Sequence, residues 1–497
     1  MLYSKSSRLT LTGIMNNVNV GHTPGEDGAL SELPDAGGGK QSTRRLGINY
    51  RYEGKDEDSY FSSDNNIGYT DNDQRSRVNT QTFLTGGDYF HLSSSSNRSR
   101  LTDFSTSQSV GFHPRNQIID LTASISHTTG KSFDSMLSGQ FNEKPWGTSV
   151  LDSLFLPFAS ARLMRAAINR QRNEMMSRSN STNYNFTFAD RIAFGKDANQ
   201  NMTSVTGEVS YGRSETNRFG RNSVDYLGAS PSQDRRAEYV SEPAHNYNLA
   251  LNVEYSRLLN RDSDEVNTIF IRPFVRINQS YEAADNARYR LDRLSDYSEI
   301  AYPLGVLPST RDALLRVIDA TNSYRSRRHV TSSFTGMKFN YTHGDGTSRP
   351  QYSAQLSAPV QFKRESISYD RDGHYYRKRN SVLFNPTMTF TYENTDSTGT
   401  RHASLTYGTS QSESDLSTLL AIRDDSNPLV VTLGNPNLKK SRDHYVNFMV
   451  SSFSTAHQLF TNAELSYHTT RNAIATSVLY DKATGKTTTQ QVNINGN

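Results

Sequence analysis

Four charged side chains suggest the first chemical hypothesis for this chain. Arg272 and Arg276 lie on the polar side of one alternating segment, and Glu254 and Glu208 lie on the polar sides of two others. If these polar sides face an enclosed interior, the guanidinium groups would attract an anionic solute. Alternatively they would form ion pairs with interior carboxylates, which is the interpretation that we favour. Both interpretations require a scaffold that presents all four residues to one lumen.

Signals for enzymatic chemistry are weak. Residues 36–43, AGGGKQST, approach a phosphate-binding loop, but Gln41 separates the Gly-Lys pair from Ser42 where the pattern needs them adjacent. A surface loop explains this stretch better. A nucleophile elbow is absent from the sequence, and no set of Ser, His and Asp can be assigned to one end of a sheet. We therefore predict no cofactor and no catalytic residues, and we expect that the protein is not an enzyme.

Two loop clusters could meet a metal ion. His343 lies two residues before Asp345, and His374 follows Asp370 and Asp372. A glycine lies inside each cluster, so ordinary turn chemistry explains both more simply. The sequence therefore predicts no metal site.

Composition narrows the classes further. The 497 residues include no cysteine, which excludes disulfides and cysteine-ligated metals. The formal net charge of +4 is too balanced to indicate a nucleic-acid partner. Mean hydropathy is −0.71 and only 34% of residues are hydrophobic, yet 27 Tyr and 23 Phe argue against a disordered chain. A folded protein of this kind uses many aromatic and polar residues and few aliphatic ones.

Period-two alternation supplies the scaffold. No apolar run is long enough for a transmembrane helix, but Asn246 to Tyr255 carries Tyr, Leu, Leu, Val and Tyr on one side and polar residues or Ala on the other. Its eight residue steps, tilted by roughly 40–45°, give about 20 Å of height, close to the apolar band of an outer-membrane barrel. Roughly fifteen segments share this design. Examples of their apolar sides are Ile119, Leu121, Ala123 and Ile125; Tyr184, Phe186 and Phe188; Val205, Val209 and Tyr211; Ile269, Ile271, Val275 and Ile277; Val382, Phe384, Met388, Phe390 and Tyr392; Val446, Phe448 and Val450; and Leu459, Ala463, Leu465 and Tyr467.

Connections between these segments alternate in length. Short turns are predicted near 113–116, 195–201, 260–267, 343–349, 394–400 and 454–457, and long segments near 20–43, 71–100, 128–181, 213–243, 282–327 and 411–443. A barrel with short periplasmic turns and long extracellular loops produces this alternation. We therefore predict an all-β fold, an antiparallel transmembrane β-barrel of which roughly fifteen of an expected 22 strands are present. Helix-like pieces at 159–176 and 310–320 would form either a lid over a ligand or, as we favour, a local fold that packs its own loop.

A proline-rich stretch precedes one of the last alternating segments. It contains Asn427-Pro428, then Gly434-Asn435-Pro436, then Leu438-Lys439. The two prolines fix φ and bias the preceding asparagines away from helix, and Gly434 would supply any positive φ that the turn needs. We interpret these seven residues as a rigid structural loop that starts a strand.

This stretch resembles the Gly-Asn-Pro-x-Leu-Lys segment in the barrel of TonB-dependent outer-membrane receptors, although Lys440-Ser441 replaces the usual Pro-Glu. Residues 11–19 with 46–50 resemble the first hairpin after the plug in the branch with an outer-membrane β-barrel family domain, and 481–497 resemble a later hairpin. The resemblance implies a barrel of about 22 strands in the cell outer membrane that takes up a scarce ligand. It also implies partners: the lipid bilayer, a plug domain, the TonB complex, the outer-membrane assembly machinery and a surface lipoprotein.

Residues 1–497 are therefore expected to form one outer-membrane β-barrel domain, truncated at both ends, without the plug and the C-terminal strands. Two alternatives remain open. One is an outer-membrane barrel that does not transport and serves adhesion or assembly. The other is a secreted β-sandwich or fibre, in which the apolar sides would be buried between two layers of protein.

Overall fold

The computed structural model describes residues 2–3, 6–16, 22–24, 30–32, 39–55, 58–83, 88–145, 149–194, 201–228, 231–261, 267–344 and 350–496. Strands dominate these ranges, as the alternation predicts. Within them, no helix combines the length and the apolar character needed to cross a membrane.

The strands lengthen sharply after the first few. In the described ranges the first half of the chain holds β1 (Leu2–Tyr3), β2 (Ser7–Asn16), β3 (His22–Pro24), β4 (Leu30–Glu32), β5 (Lys40–Glu53), β6 (Ser59–Thr82), β7 (Tyr89–Phe112), β8 (Gln117–Phe141), β9 (Ala167–Ala193), β10 (Met202–Tyr226) and β11 (Ser232–Arg261). The second half holds β12 (Asn267–Arg290), β13 (Tyr324–His343), β14 (Gln351–Asp370), β15 (His374–Phe384), β16 (Thr387–Asp396), β17 (Gly399–Ser412), β18 (Arg423–Asn427), β19 (Val430–Leu433), β20 (Ser441–Ser454), β21 (Leu459–Tyr480) and β22 (Thr487–Gly496).

All of these strands except the small hairpin of β3 and β4 belong to one sheet. Its order is β1, β2, β5 and onward to β17, then β20 and β21, and every one of these pairings is antiparallel. β15 and β16 pair with successive parts of β14, so they act as one strand interrupted at Pro386, whose missing N–H cannot join the ladder. Counted in this way, fifteen strands from β2 to β21 form the wall in the described part of the chain. The prediction of an all-β, antiparallel and barrel-like fold with roughly fifteen strands is confirmed.

The wall does not close into a ring within the described ranges: β1 and β2 form one border, and β21 with β22 forms the other. It is nevertheless curved. Tyr89 at the start of β7 stacks on Tyr480 at the end of β21, with ring centroids 4.2 Å apart, although many strands separate them along the sheet. The two tyrosine rings meet on the polar side of the wall, so the polar side is the inner, concave face.

The strand register joins the predicted apolar sides into one continuous band. Leu251 pairs with Gly207 on one side and Ile277 on the other, and Val253 pairs with Val205 and Val275. Across four strands Tyr184, Tyr211, Tyr247 and Tyr281 occupy directly opposed positions at one limit of the band. Side chains of the band face away from the inner face and stay exposed; Leu249 is 44% exposed and Leu251 and Val253 are each 38% exposed. The band is therefore not covered by a second layer of protein.

Several segments predicted as long loops are instead strand, and this prediction was wrong. β6 continues to Thr82 and β7 begins at Tyr89, so 71–100 is almost entirely strand. The predicted loop 213–243 is likewise strand except for a connection after Tyr226. Because both faces of these extensions are polar, hydrophobic alternation ends where the apolar band ends, but backbone pairing continues without it. The connections at this end, named here the long-loop end, include 83–88, 142–166, 227–231, 291–323 and 413–440, together with the short loop 371–373.

The opposite end, named here the short-turn end, carries the turns predicted near 113–116, 394–400 and 454–457. The turns predicted near 195–201, 260–267 and 343–349 also join strands at this end, but residues 195–200, 262–266 and 345–349 lie outside the described residues.

The helices are shorter than the sequence suggests. They are α1 (Val150–Leu154), α2 (Ala161–Ala166) and α3 (Arg311–Arg316), with 3-10 turns at Leu291–Arg293 and Ser417–Leu419. The piece predicted over 159–176 ends at Ala166 because β9 begins at the next residue. Leu154 and Phe141 are fully buried in an apolar cluster with Val150 and Ala167, so this loop packs against the ends of β8 and β9 that flank it.

Candidate binding site at the long-loop end

Part of the chain crosses the inner face of the wall at its long-loop end. β21 leaves β20 near Asn472, which adopts φ 53°, and its last residues pair with β22. β19 then pairs with β22 in parallel, and β18 pairs with β19. We call β18, β19, β22 and residues 473–480 the inner layer.

One side of the inner layer is held by ion pairs. Glu365 on β14 is fully buried and accepts hydrogen bonds from Arg328 (3.0 Å) and Arg379 (3.1 Å), and Lys363 lies 2.9 Å away. Glu413, at the start of the 413–440 loop, lies 3.4 Å from the same Arg379. We call this group the Glu365 cluster. Further contacts complete it: Ser381 donates to Glu413, Arg379 donates to the carbonyl of Ser414, Arg328 pairs with Asp415, and Lys440 pairs with Glu413.

Electrostatics in this cluster favour the charged carboxylate. The outward neighbours of Glu365 are Arg364 and Ser366, so the residue lies beyond the apolar band. Burial raises the pKa of the Glu365 carboxyl, but the hydrogen bonds from Lys363, Arg379 and Arg328 outweigh it and hold the pKa at about 2. The cluster therefore fixes the loop to β13, β14 and β15 with a fully ionised carboxylate at neutral pH.

The proline-rich stretch forms the connection between this cluster and the inner layer. Leu438 packs with the buried Ile367, Leu416, Leu419 and Leu420. Pro436 accepts a hydrogen bond from Arg377 through its carbonyl (3.2 Å).

Two of its residues attach the loop to β22. The Asn435 side chain donates to the carbonyl of Gln491 (2.8 Å), and the backbone N–H of Lys439 donates to Asn493 (2.7 Å). The predicted structural role thus has a specific form, the attachment of the 413–440 loop to β22.

Gly434 serves this stretch for a different reason from the one expected. Its φ is not among the positive values of the chain. A Cβ at this position would lie 1.7 Å from the carbonyl oxygen of Leu420, and the Gly434 N–H donates to Ile422 (2.9 Å). Glycine is required here because two backbone segments approach closely, not because of a left-handed turn.

The other side of the inner layer reaches β8 to β11. Leu429 packs on the buried Val224 and Tyr226, and the Tyr226 hydroxyl donates to the carbonyl of Pro428 (3.3 Å). Near the tip of the β21–β22 hairpin, Asn169 donates to the carbonyl of Thr484 (2.9 Å). Lys486 lies over the Tyr226 ring, 5.4 Å from its centroid. The inner layer therefore spans the concave face from β14 to β8.

A cavity of about 210 Å³ separates the inner layer from β9 to β12, and we call it the mouth cavity. Three guanidinium groups line it, those of Arg218, Arg236 and Arg288 from three adjacent strands. Arg236 donates to the carbonyls of Asp425 (3.2 Å) and Ser426 (3.0 Å), which places Ser426 and Asn427 at its rim. The remaining lining residues are Asn173, Met175, Gly220, Asn222, Glu238 and Val240.

Each of the three arginines of the mouth cavity has a carboxylate partner. Arg288 pairs with Glu238, Arg218 pairs with Glu242, and Arg236 pairs with Asp234. Burial lowers the pKa of the Arg218 guanidinium and the nearby Arg288 lowers it further. Burial also raises the pKa of Glu238, an effect that the neighbouring arginines oppose without cancelling. Burial is the largest cause of both shifts, so the space around these two groups is partly desolvated.

The four residues predicted to face the lumen all lie on the inner face. Glu208 and Arg276 line a second cavity of about 520 Å³ nearer the short-turn end. Glu254 pairs with Lys338 (2.7 Å), and Arg272 donates to the Ser256 hydroxyl (3.3 Å). The structure thus brings two of the predicted residues into one cavity and places the other two nearer the short-turn end.

The two loop clusters that were considered as metal sites have other contacts. His374 hydrogen-bonds Asp370 at 2.5 Å across a turn in which Asp372 has φ 44°, and His343 hydrogen-bonds Asn267 at 2.6 Å. Asp345 lies outside the described residues, as do residues 36–38 of the glycine-rich stretch.

Sequence reasoning did not single out Arg218, Arg236 and Arg288. Each belongs to a segment predicted as a long loop, so its face was not considered. Had the alternation of Tyr211, Tyr247 and Tyr281 been continued along the same strands, all three arginines would have fallen on the inner side.

No model of a known family matches the chain, and no curated protein gives a significant match.

Proposed function

We propose that this chain forms the wall of a β-barrel in the cell outer membrane, and that it is the barrel portion of a TonB-dependent receptor that takes up a scarce ligand. One observation carries the membrane assignment. Exposed apolar side chains form a continuous band on the outer face, whereas the inner face is polar. In water such a band would be an aggregation hazard, but in a bilayer it is the surface that lipid covers.

Tyrosines at the limits of the band agree with this assignment. The row of Tyr184, Tyr211, Tyr247 and Tyr281 marks the limit toward the long-loop end. Near the short-turn end, Tyr352 and Tyr392 lie with ring centroids 5.2 Å apart on the same outer face. Aromatic rings with one polar atom prefer the two interfaces of a bilayer.

The receptor assignment rests on the proline-rich stretch and on the mouth cavity. The Gly434-to-Lys439 segment resembles the receptor family's segment, and it attaches a loop to strands that cross the inner face. In a receptor, the long-loop end faces the exterior and captures the ligand, and the lumen holds the plug on which the TonB complex acts.

Single cysteines test the membrane assignment without background, because the chain has none. Leu251→Cys and Asn252→Cys differ by one residue in the middle of the band on β11 and point to opposite faces. In lipid bilayers, a spin label on Leu251→Cys should be accessible to oxygen, and one on Asn252→Cys to a water-soluble nickel complex. Equal accessibility at the two positions would overturn the proposal.

A further inference from the structure

A row of cations crosses the outer face of the wall beyond the apolar band. Arg100 on β7, Lys131 on β8 and Arg178 on β9 occupy directly opposed positions in the strand register, and all three side chains are exposed. Lys131 lies six residues after Ile125 of the apolar band, and an even spacing along a strand keeps both residues on one face. We call these three residues the Lys131 row.

The Lys131 row has an excess of positive charge. Asp71 on β6 lies opposite Arg100, and their charged groups are 3.2 Å apart. Within the described ranges, neither Lys131 nor Arg178 forms an ion pair. Three cations and one carboxylate leave a net charge of +2 along these four strands. Because like charges at directly opposed positions destabilise a sheet, this arrangement favours an anion that covers the row.

Flanking carboxylates do not remove this excess. Asp73 lies opposite Arg98, and Glu215 follows Arg213 at the next position of the same face on β10. Each of these carboxylates therefore has a flanking cation of its own. Arg98 also lies 3.7 Å from Asp71, so the one carboxylate in line with the row is shared.

Another row at the long-loop end of the outer face, on β12 to β14, has the opposite arrangement. Asp285, Arg325 and Asp370 occupy directly opposed positions, so the charges alternate in sign. Asp285 lies 3.4 Å from Arg325 and 2.7 Å from Arg327. That row is neutralised by groups of the chain itself, whereas the Lys131 row is not.

The height of the Lys131 row on the wall indicates what kind of anion can reach it. Arg100 lies four residues from Phe104, an exposed apolar residue on the outer face of β7. Four residue steps on a strand tilted by roughly 40–45° amount to about 10 Å of height. Lipid headgroups extend roughly 5–8 Å beyond the hydrocarbon, and long cationic side chains bend toward that interface. The three side chains therefore lie at the headgroups of the lipids that would cover the band.

We propose that the Lys131 row binds a membrane lipid whose headgroup carries a phosphate monoester, in the leaflet at the long-loop end. This inference rests on the proposed function, since it names a lipid partner of the wall. A phosphate monoester carries about −1.5 to −2 charges at pH 7 and three acceptor oxygens, which matches a surplus of two positive charges and three cationic side chains. Arginine forms paired hydrogen bonds with phosphate, and lysine acts as a point charge between the two arginines. A phosphodiester carries a single charge and would leave one cation without a partner.

Three variants test the charge of the row. Lys131→Gln removes the central cation. Arg325→Gln is the matched control, because Arg325 is a 63% exposed cation on the same face in a row whose charges are balanced. Lys131→Glu gives the row alternating signs and should fold at least as stably as the unchanged chain, because it removes two contacts between like charges. Retarded migration of the unheated variants in gels verifies that they fold.

The experiment is thermal unfolding of the full chain in detergent micelles that contain increasing amounts of phosphatidic acid, phosphatidylglycerol or phosphatidylcholine. A lipid that binds the folded chain raises Tm, and we expect the strongest rise with phosphatidic acid, which carries the monoester. Lys131→Gln should weaken the apparent affinity for phosphatidic acid at least about fivefold, the ratio that one cation near an anionic lipid surface provides. Arg325→Gln should leave that affinity unchanged, and Lys131→Glu should abolish the rise in Tm.

Other results would overturn the proposed site. They are equal losses in Lys131→Gln and Arg325→Gln, equal affinities for phosphatidic acid and phosphatidylglycerol, or displacement of the lipid by inorganic phosphate, since a free anion would then be the occupant. If the site fails in this way while Leu251→Cys and Asn252→Cys differ as expected, the membrane assignment still stands. If phosphatidic acid binds as expected but the two cysteines are equally accessible, the binding site stands and the membrane assignment fails.

Discussion

Two groups of arginines lie on the same inner face, and they differ in how their carboxylate partners are arranged. In the Glu365 cluster, Arg328 and Arg379 converge on a carboxylate that is fully buried, and each makes further contacts with the 413–440 loop. In the mouth cavity, Arg288, Arg218 and Arg236 each have a separate partner, and these partners are Glu238, Glu242 and Asp234. The first arrangement is closed around protein groups, whereas the second opens onto an empty volume.

The difference teaches how arginines that fix a loop can be separated from arginines that line a cavity. Both groups contain the same residue types on neighbouring strands, so neither composition nor face distinguishes them. What distinguishes them is a shared carboxylate: Lys363, Arg328 and Arg379 all contact Glu365, whereas each arginine of the mouth cavity contacts a carboxylate of its own. A carboxylate shared by three cations from neighbouring strands and a loop contact holds that loop in place.

The largest change in stability is expected from removing the central carboxylate of the Glu365 cluster. Glu365→Ala leaves Lys363, Arg328 and Arg379 without their common partner, and loss of one member of a buried pair costs about 3–5 kcal/mol. Denaturant unfolding in micelles measures this loss, and limited proteolysis should show cleavage within 413–440. Glu282→Ala is the matched control, because that carboxylate is 64% exposed and 3.7 Å from the same Arg328. It should change stability by less than about 1 kcal/mol, and an equal effect of the two variants would remove the distinction.

Acid should break the ion pairs of the Glu365 cluster at a lower pH than the ordinary pKa of glutamate indicates. The pKa of Glu365 falls from 4.5 to about 2 on folding. Its stabilisation is therefore fully present above pH 4.5 and is lost as the pH falls toward 2, by about 3 kcal/mol in all. Hydrogen exchange of residues 413–440 measured between pH 6 and pH 2 should reveal this loss. In Glu365→Gln the protection factor, which is the intrinsic exchange rate divided by the observed rate at the same pH, should no longer change over that interval. A persistent change would point to another group.

Two Gly→Ala substitutions give the smallest expected changes in stability. Gly434→Ala brings a methyl group against the Leu420 carbonyl, with 1.7 Å between them before relaxation, so the loop must shift at a cost of about 1–3 kcal/mol. Gly220→Ala places a methyl group in the open mouth cavity and should change stability by about 0.5 kcal/mol or less. Thermal unfolding of both variants in the same detergent gives the difference. A loss at Gly220 as large as that at Gly434 would show that the mouth cavity is closed.

Local sequence patterns were sufficient to predict the two faces of the wall. The alternation of Tyr247, Leu249, Leu251 and Val253 predicted which face would be apolar, and the register confirms that neighbouring strands present the same face. The turns at 113–116 and 454–457 were also predicted, because a short polar segment between two alternating runs has few other interpretations. What failed was the length of the strands beyond the band, since polar residues on both sides leave no periodic signal.

The candidate site could not be predicted from the sequence, and the reason is different. Glu365 and Glu413 are 48 positions apart in the sequence, and Arg236 meets Ser426 across 190. Such meetings depend on a loop that returns over the concave face, and no short-range pattern encodes that path. Gly434 illustrates the limit well: its importance was predicted, but the reason, a close approach to Leu420, exists only after the loop has folded back.

The sequence by itself thus determined the fold class, the two faces of the wall and the end at which short turns lie, because side-chain alternation in a strand is a property of neighbouring residues. Only the tertiary structure decided which charges meet, since curvature brings strands that are distant in the chain to one concave surface. It gathered Lys363, Arg328 and Arg379 around Glu365 and placed the 413–440 loop against them, because the loop returns over the concave face from a distant part of the chain.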